Sequence, residues 1–180
     1  MDKVKESITQ YLAENIRNIP DFPHEGIQYK DITTLLKDPD ALQLTSSLLK
    51  RPFINKKIDF VVGLESRGFL FGPRLAQDLN AGFIPIRKPG KLPGETISAT
   101  YELEYGDDTL EMHTDAISEG DRILIHDDLI ATGGSAKAAT ELVNQLGGTT
   151  AGYSFIVELE ALDGRQKLSD KAIIDTLCTL

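Results

Sequence analysis

Short apolar runs recur along this chain with helix-patterned stretches between them, and this alternation limits the fold more than any other feature. The runs are 58–64 (IDFVVGL), 83–86 (FIPI), 122–126 (RILIH) and 149–157 (TTAGYSFIV). Each is shorter than a typical helix, and their β-branched makeup suits strands covered on both faces. Residues 67–79 and 135–146 carry apolar side chains at helical period, the second stretch closed by Gly147-Gly148. Val4, Ile8, Tyr11, Leu12, Ile16 and Ile19 lie at helical spacing and predict a helix over 4–19 that stops at Pro20. A further helix is expected over 41–50, with Asp38 as N-cap and Pro39 in the first position. Residues 101–105 and 109–112 read as a hairpin around Gly106-Asp107-Asp108, and 172–177 as a last strand. The expectation is an α/β fold with a mostly parallel central sheet flanked by helices.

With 180 residues, 41% of them hydrophobic and 26% charged, the chain has the size and balance of one domain over 1–180. Lys and Arg number 19 against 28 Asp and Glu, a net charge of −9. That excess repels nucleic acid and anionic membrane, so neither is expected as a partner, while a basic cleft could still hold a small anion. Cys178 is the single cysteine, which excludes an intramolecular disulfide and a multi-cysteine zinc site. Charges run through the N-terminal segment, and no stretch approaches the ~18 apolar residues of a membrane span. A cytoplasmic protein is expected.

Ligands of open parallel sheets sit beyond the carboxyl ends of the strands. The loops there are 65–68 (ESRG), 88–100 and 127–135. The last is the most informative. After RILIH come Asp127 and Asp128, expected just past the strand end, and then Ala131, Thr132, Gly133, Gly134 and Ser135 open a helix. Adjacent glycines let backbone N–H groups approach an anion, the two hydroxyls add donors, and the helix N-terminus favours negative charge. Such a turn suits a phosphate monoester. Carboxylates just before it suit sugar hydroxyls or a divalent cation, so a phosphorylated sugar is the indicated ligand. Strand–Gly-Gly–helix turns also occur with no ligand. Neither a Walker sequence nor a G-x-G-x-x-G fingerprint is present.

A short apolar strand, two acids and a small-Thr-Gly-Gly-Ser turn resemble the ribosyl-donor motif of type I phosphoribosyltransferases. The likeness extends to adenine-using members through 20–33 (PDFPHEGIQYKDIT), 61–76 (VVGLESRGFLFGPRLA), 86–96 (IRKPGKLPGET), 101–113 (YELEYGDDTLEMH), 124–136 (LIHDDLIATGGSA) and 157–168 (VELEALDGRQKL). His126 stands where the family usually has an aliphatic residue, and Ser135 where Thr is common.

The resemblance implies that adenine and phosphoribosyl pyrophosphate give AMP and pyrophosphate, with Mg²⁺ held by the donor rather than by protein ligands. It implies a homodimer, a small N-terminal hood over about 1–35, a core over about 36–180, and a mobile loop over 88–100. Ser66 and Arg67 would hold the pyrophosphate, joined by Arg87, Lys88, Lys91 and Tyr105. Taken alone, Ser66 could simply cap a helix, and the basic cluster could be a solvated face. Glu104 would exchange a proton with the base, although by position it is also an exposed strand residue beside a turn. Main-chain groups of Gln28 and Lys30 would read the purine edge, Tyr29 would stack on its face, and Leu159 would supply an apolar wall. An aromatic residue near prolines is equally a core residue. His24, His113 and His126 read as structural or solvated, and Cys178 as a buried thiol.

Other readings are an oxopurine enzyme using Lys137, a non-catalytic sensor of the same donor, and a phosphatase built on Asp127 and Asp128. The first competes through one lysine whose direction the sequence leaves open. The second lacks a DNA-binding extension, and the third lacks a nucleophile arrangement.

Overall fold

The computed structural model describes residues 2–102 and 106–180. Five parallel strands form the central sheet in the order β4-β3-β7-β8-β9: β3 (Phe60–Leu64), β4 (Gly82–Ile86), β7 (Arg122–Ile130), β8 (Thr149–Glu158) and β9 (Ile173–Thr179). Two antiparallel pairs lie outside it. The first joins β1 (Arg17–Pro20) to β2 (Gln28–Asp31), and the second joins β5 (Thr96–Glu102) to β6 (Asp107–His113). The helices are α1 (Asp2–Glu14), α2 (Thr33–Lys37), α3 (Pro39–Leu49), α4 (Gly72–Asp78) and α5 (Gly134–Gln145).

Alternation along the strands explains why the sheet needs cover on both sides. Val62, Leu64, Ile123 and Ile125 share one cluster with Ala139, Leu142 and Val143 of α5 and with Ala99, Leu110 and Met112 of the β5–β6 hairpin. Val61, Leu124 and Ile156 point the other way, onto Leu12 of α1, Leu49 of α3 and Leu75 of α4. Leu142 and Val143 are fully buried, each contributing roughly 1.5–3 kcal/mol of transfer free energy. Asp38 caps α3 as expected, its carboxylate accepting from the Ala41 N–H at 2.7 Å, with Pro39 in the first turn.

Four expectations need correction. The first helix ends at Glu14, and Arg17–Pro20 forms a strand that pairs residue for residue with Gln28–Asp31. Residues 67–79 are not one helix: a 3-10 turn over Arg67–Phe69 precedes α4, whose second residue is Pro73. Proline is tolerated in a first turn but not within a helix, and that divides the stretch. Residues 96–100, read as loop, belong to β5, where Ala99 is buried. Asp107 and Asp108, read as turn, begin β6 and lie opposite Glu102 and Tyr101.

Because the central strands are parallel, their carboxyl ends share one edge of the sheet. Leu64, Ile86, Ile130 and Glu158 end there, so the segments after them are gathered although they are far apart in sequence.

Candidate active site

Asp127 and Asp128 are not past the strand end. Strand β7 continues to Ile130, with Asp127 opposite Phe155 and Leu129 opposite Val157 of β8. Strand β3 stops pairing at His126, so beyond that point β7 is laddered on one side only. The 3-10 turn after β3 occupies the opened side. A Cβ on Gly68 would stand 2.8 Å from the His126 carbonyl oxygen and 3.3 Å from Asp127 Oδ1, so glycine lets the turn press on the acidic pair. The Glu65–Ser66 peptide opening this turn is cis, as is Phe22–Pro23.

Arg67 links this turn to its surroundings. Its Nε lies 3.1 Å from Oδ2 of Asp128, while Nη1 donates to the Tyr29 hydroxyl at 2.9 Å and to the Lys30 carbonyl at 3.1 Å. The guanidinium carbon is 4.9 Å from the centre of the Tyr29 ring, close enough for cation–π attraction. Burial is the main cause that pushes the Asp127 carboxyl well above the usual carboxylate range, with the Asp128 charge adding to it. Burial raises Asp128 as well, while the Arg67 charge opposes the shift.

The turn after β7 has the geometry of an anion cradle. Gly133 takes φ 76° and precedes α5 as its N-cap, a conformation open to glycine without strain. A Cβ there would be 2.3 Å from the Gly164 carbonyl oxygen, and one on Gly134 would be 2.9 Å from the Tyr101 ring. Thr132 and Ser135 are half-buried, and among the described residues no hydrogen bond engages either hydroxyl. Lys137 is exposed, 3.9 Å from Glu141 on the same helix.

The basic cluster is paired. Arg87 Nε stands 3.2 Å from Glu65 Oε2, and the Lys88 N–H donates to the same oxygen at 2.9 Å. These bonds, the backbone one foremost, hold the Glu65 carboxyl below its ordinary range. Lys88 Nζ contacts Asp108, which also accepts from the Tyr101 hydroxyl at 3.1 Å. Burial lowers the Lys88 ammonium from its ordinary value. Lys91 is exposed, and its carbonyl accepts from Arg87 Nη1 at 3.1 Å.

A cavity of about 910 Å³ is bordered by Gln28, Lys30, Leu159, Leu162 and Leu180, and the Lys30 carbonyl accepts from Arg67. Gln28, Lys30 and Leu159 are therefore brought together as expected. Tyr29 lies between them in sequence, but its ring meets Phe22 edge-on at 5.1 Å and Arg67. Ser66 is exposed at the strand edge. Glu104 and Tyr105 lie outside the described residues.

A family description, the phosphoribosyl transferase domain, matches residues 31–177. An adenine phosphoribosyltransferase from Koribacter versatilis is 57% identical over 166 residues, 92% of this chain and 91% of that one. This chain belongs to the adenine phosphoribosyltransferase family. Among solved structures, the enzyme from Rhodothermus marinus superposes with a TM-score of 0.92 at 50% identity, covering 97% of this chain and 99% of that one. The Saccharomyces cerevisiae enzyme, solved with an imino-altritol bisphosphate and adenine, gives 0.87 at 48%, covering 96% and 99%. The fold is the type I phosphoribosyltransferase fold expected from the sequence.

Sequence reasoning missed Glu65, Tyr101, Asp108 and Gly164. Glu65 sits in the loop 65–68, and an acid at a strand end two residues before Arg67 is a usable signal. The other three depend on contacts across sequence gaps that no local pattern reveals.

Proposed function

We propose that this chain transfers the 5-phosphoribosyl group from phosphoribosyl pyrophosphate to N9 of adenine, giving AMP and pyrophosphate. The observation carrying this reading is the placement of an acidic pair and a glycine-opened helix N-terminus on one strand, directly beside the Arg67 turn. The cradle of Ala131, Thr132, Gly133, Gly134 and Ser135 takes the 5′-phosphate, and Asp127 and Asp128 take the ribose hydroxyls. Ser66 and Arg67, with Arg87, Lys88, Lys91 and Tyr105, take the pyrophosphate. The C1′–O bond breaks as C1′–N9 forms, and charge accumulates on the departing pyrophosphate. Cations and backbone donors aimed there act most strongly in the transition state.

In the structure Arg67, Arg87 and Lys88 are engaged by Asp128, Glu65 and Asp108. Donor binding therefore exchanges internal partners for phosphate oxygens, so the cations stay paired throughout. Gln28 and Lys30 read the base through main-chain groups, Leu159 walls the cavity, and Tyr29 offers its ring. Support for adenine comes from the relatives' names and from the adenine bound to the yeast protein. Glu104 exchanges a proton with the purine as the new bond forms. The segment around 88–95 closes over the substrates and limits access of water to the ribosyl cation.

Mg²⁺ fits this site as a passenger on the donor. Among the described residues no cluster of three His, Cys, Asp or Glu could cage a metal, whereas Asp127 and Asp128 supply hard oxygens beside the ribose position. When bound, the ion screens the phosphates and withdraws charge from the leaving group. No helix among the described residues is long and apolar enough to cross a membrane. We read the chain as one domain, hood about 1–35 and core about 36–180, acting as a cytoplasmic homodimer. Incubating the protein with AMP, pyrophosphate and Mg²⁺ tests the proposal in reverse. Release of free adenine supports it, and its absence at any pyrophosphate concentration contradicts it.

A further inference from the structure

The segment 159–168 lies between β8 and β9 and touches both the phosphate cradle and the base cavity. On one side, a Cβ on Gly164 would stand 2.1 Å from the Ala131 carbonyl oxygen and 2.8 Å from the Gly133 nitrogen. The cradle backbone and this segment are thus in direct glycine-to-glycine contact. On the other side, Leu159 and Leu162 border the cavity assigned to the base. The segment's own backbone bonds are local 3-10 turns, anchored at its start by the Leu159 N–H donating to the Ile130 carbonyl at 2.9 Å and the Glu160 N–H to the Leu180 carbonyl at 3.4 Å. The tie to the sheet in its middle comes from Arg165.

Arg165 forks onto Glu158 at the end of β8, Nε to Oε1 at 2.9 Å and Nη2 to Oε2 at 2.5 Å. Nη1 donates to the Ile174 carbonyl at 3.0 Å, and Nη2 to Thr176 Oγ1 at 3.3 Å, both on β9. Thr176 Oγ1 in turn donates to Glu158 Oε2 at 3.1 Å. Such a bidentate, planar grip fixes direction as well as distance, which an ammonium cannot reproduce. Glu158 is mostly covered, so the pair is better shielded than an exposed ion pair.

We propose that Arg165 is a positioning residue: by clamping residues 159–168 to β8 and β9 it sets Gly164 behind the phosphate cradle and Leu159 beside the base. This rests on the phosphoribosyltransferase reading above and extends it to a residue that touches no substrate. AMP spans both contacts of the segment, the 5′-phosphate at one end and the base at the other. Pyrophosphate binds on the Arg67 and Arg87 side, and among the described residues no hydrogen bond or ion pair joins that side to 159–168. Loss of the clamp must therefore weaken AMP and spare pyrophosphate. A general loss of stability moves both constants together or neither.

Calorimetric titration with AMP, and separately with pyrophosphate and Mg²⁺, tests the proposal on the full chain. The wild-type arm is read first, because failure to bind either ligand counts against the parent reading and not against Arg165. Arg165→Met keeps the stem and removes the fork; the AMP Kd is expected to rise at least tenfold and the pyrophosphate Kd to stay within twofold. Arg165→Lys restores charge without the fork and is expected to fall between. Should Arg165→Met fail to fold, Glu158→Gln removes the charge partner and carries the same expectation at three- to tenfold. Unchanged AMP affinity, or an equal loss for both ligands, overturns the proposal.

Discussion

Nε of Arg67 stands 3.1 Å from Oδ2 of Asp128, whose carboxylate is only 2% exposed, and this contact joins the 3-10 turn after β3 to strand β7. The pair is asymmetric, because Arg67 keeps solvent contact while Asp128 is covered, and burial raises the carboxyls of Asp128 and the adjacent Asp127. Folded-state values raised above the ordinary carboxylate range mean stability that is present below about pH 4 and is lost as pH rises through them. Arg67 limits that loss. Arg67→Ala is expected to cost about 2 kcal/mol at pH 8 and clearly less at pH 5. Urea unfolding of both proteins at the two pH values measures the difference, and a pH-independent deficit would show that Arg67 does not compensate the acids.

One residue earlier, His126 produces the opposite dependence. It is fully buried, Nδ1 lies 3.0 Å from the Ser154 carbonyl oxygen, and Nε2 has no partner among the described residues. Burial lowers the imidazole to about 4, below the ~6.5 of a free side chain. Its contribution is present above pH ~6.5 and is lost as pH falls toward 4. His126→Leu removes that dependence. The variant's stability relative to wild type is expected to improve by about 3 kcal/mol between pH 7 and pH 4. Thermal or denaturant melts across that range read it, and a constant difference would mean that His126 does not stay neutral.

The cradle hydroxyls make a sharper functional prediction. Thr132 and Ser135 flank Gly133 and Gly134 at the start of α5, with no internal partner for either hydroxyl among the described residues. Replacing both with alanine is expected to raise the KM for phosphoribosyl pyrophosphate at least tenfold, about 1.4 kcal/mol. The KM for the base should move little. An unchanged donor KM removes the 5′-phosphate from this turn.

The parts of the fold legible in the sequence were those set by local pattern. Buried strands such as Phe60–Leu64 declare themselves by β-branched density, and the capping of α3 by Asp38 is written in three consecutive residues. What escaped was set by pairing across gaps. Arg17–Pro20 is a strand only because Gln28–Asp31 lies beside it, and its four residues are indistinguishable from a helix tail. Asp127 and Asp128 disfavour strands by propensity, yet one-sided pairing with β8 carries them inside β7. The site followed the same division. The residues proposed to bind anions were visible as motifs, whereas the partners of Arg67, Arg87 and Lys88 and the grip of Arg165 come from tertiary contact.

Glu104 offers a test of chemistry apart from binding. A carboxyl that exchanges a proton with the purine acts in the transition state, so Glu104→Gln is expected to lower kcat at least tenfold while adenine affinity changes less than threefold. Weakened adenine binding with intact turnover would assign Glu104 to recognition.

Substrate choice tests the central claim most directly. Steady-state formation of nucleotide is measured with phosphoribosyl pyrophosphate and Mg²⁺, offering adenine, hypoxanthine, guanine and xanthine separately. Turnover of adenine alone, yielding AMP and one pyrophosphate per turnover, is the expected result. Turnover of an oxopurine in its place would contradict the base site formed by Gln28, Lys30 and Leu159, and tight donor binding with no turnover of any base would contradict catalysis itself.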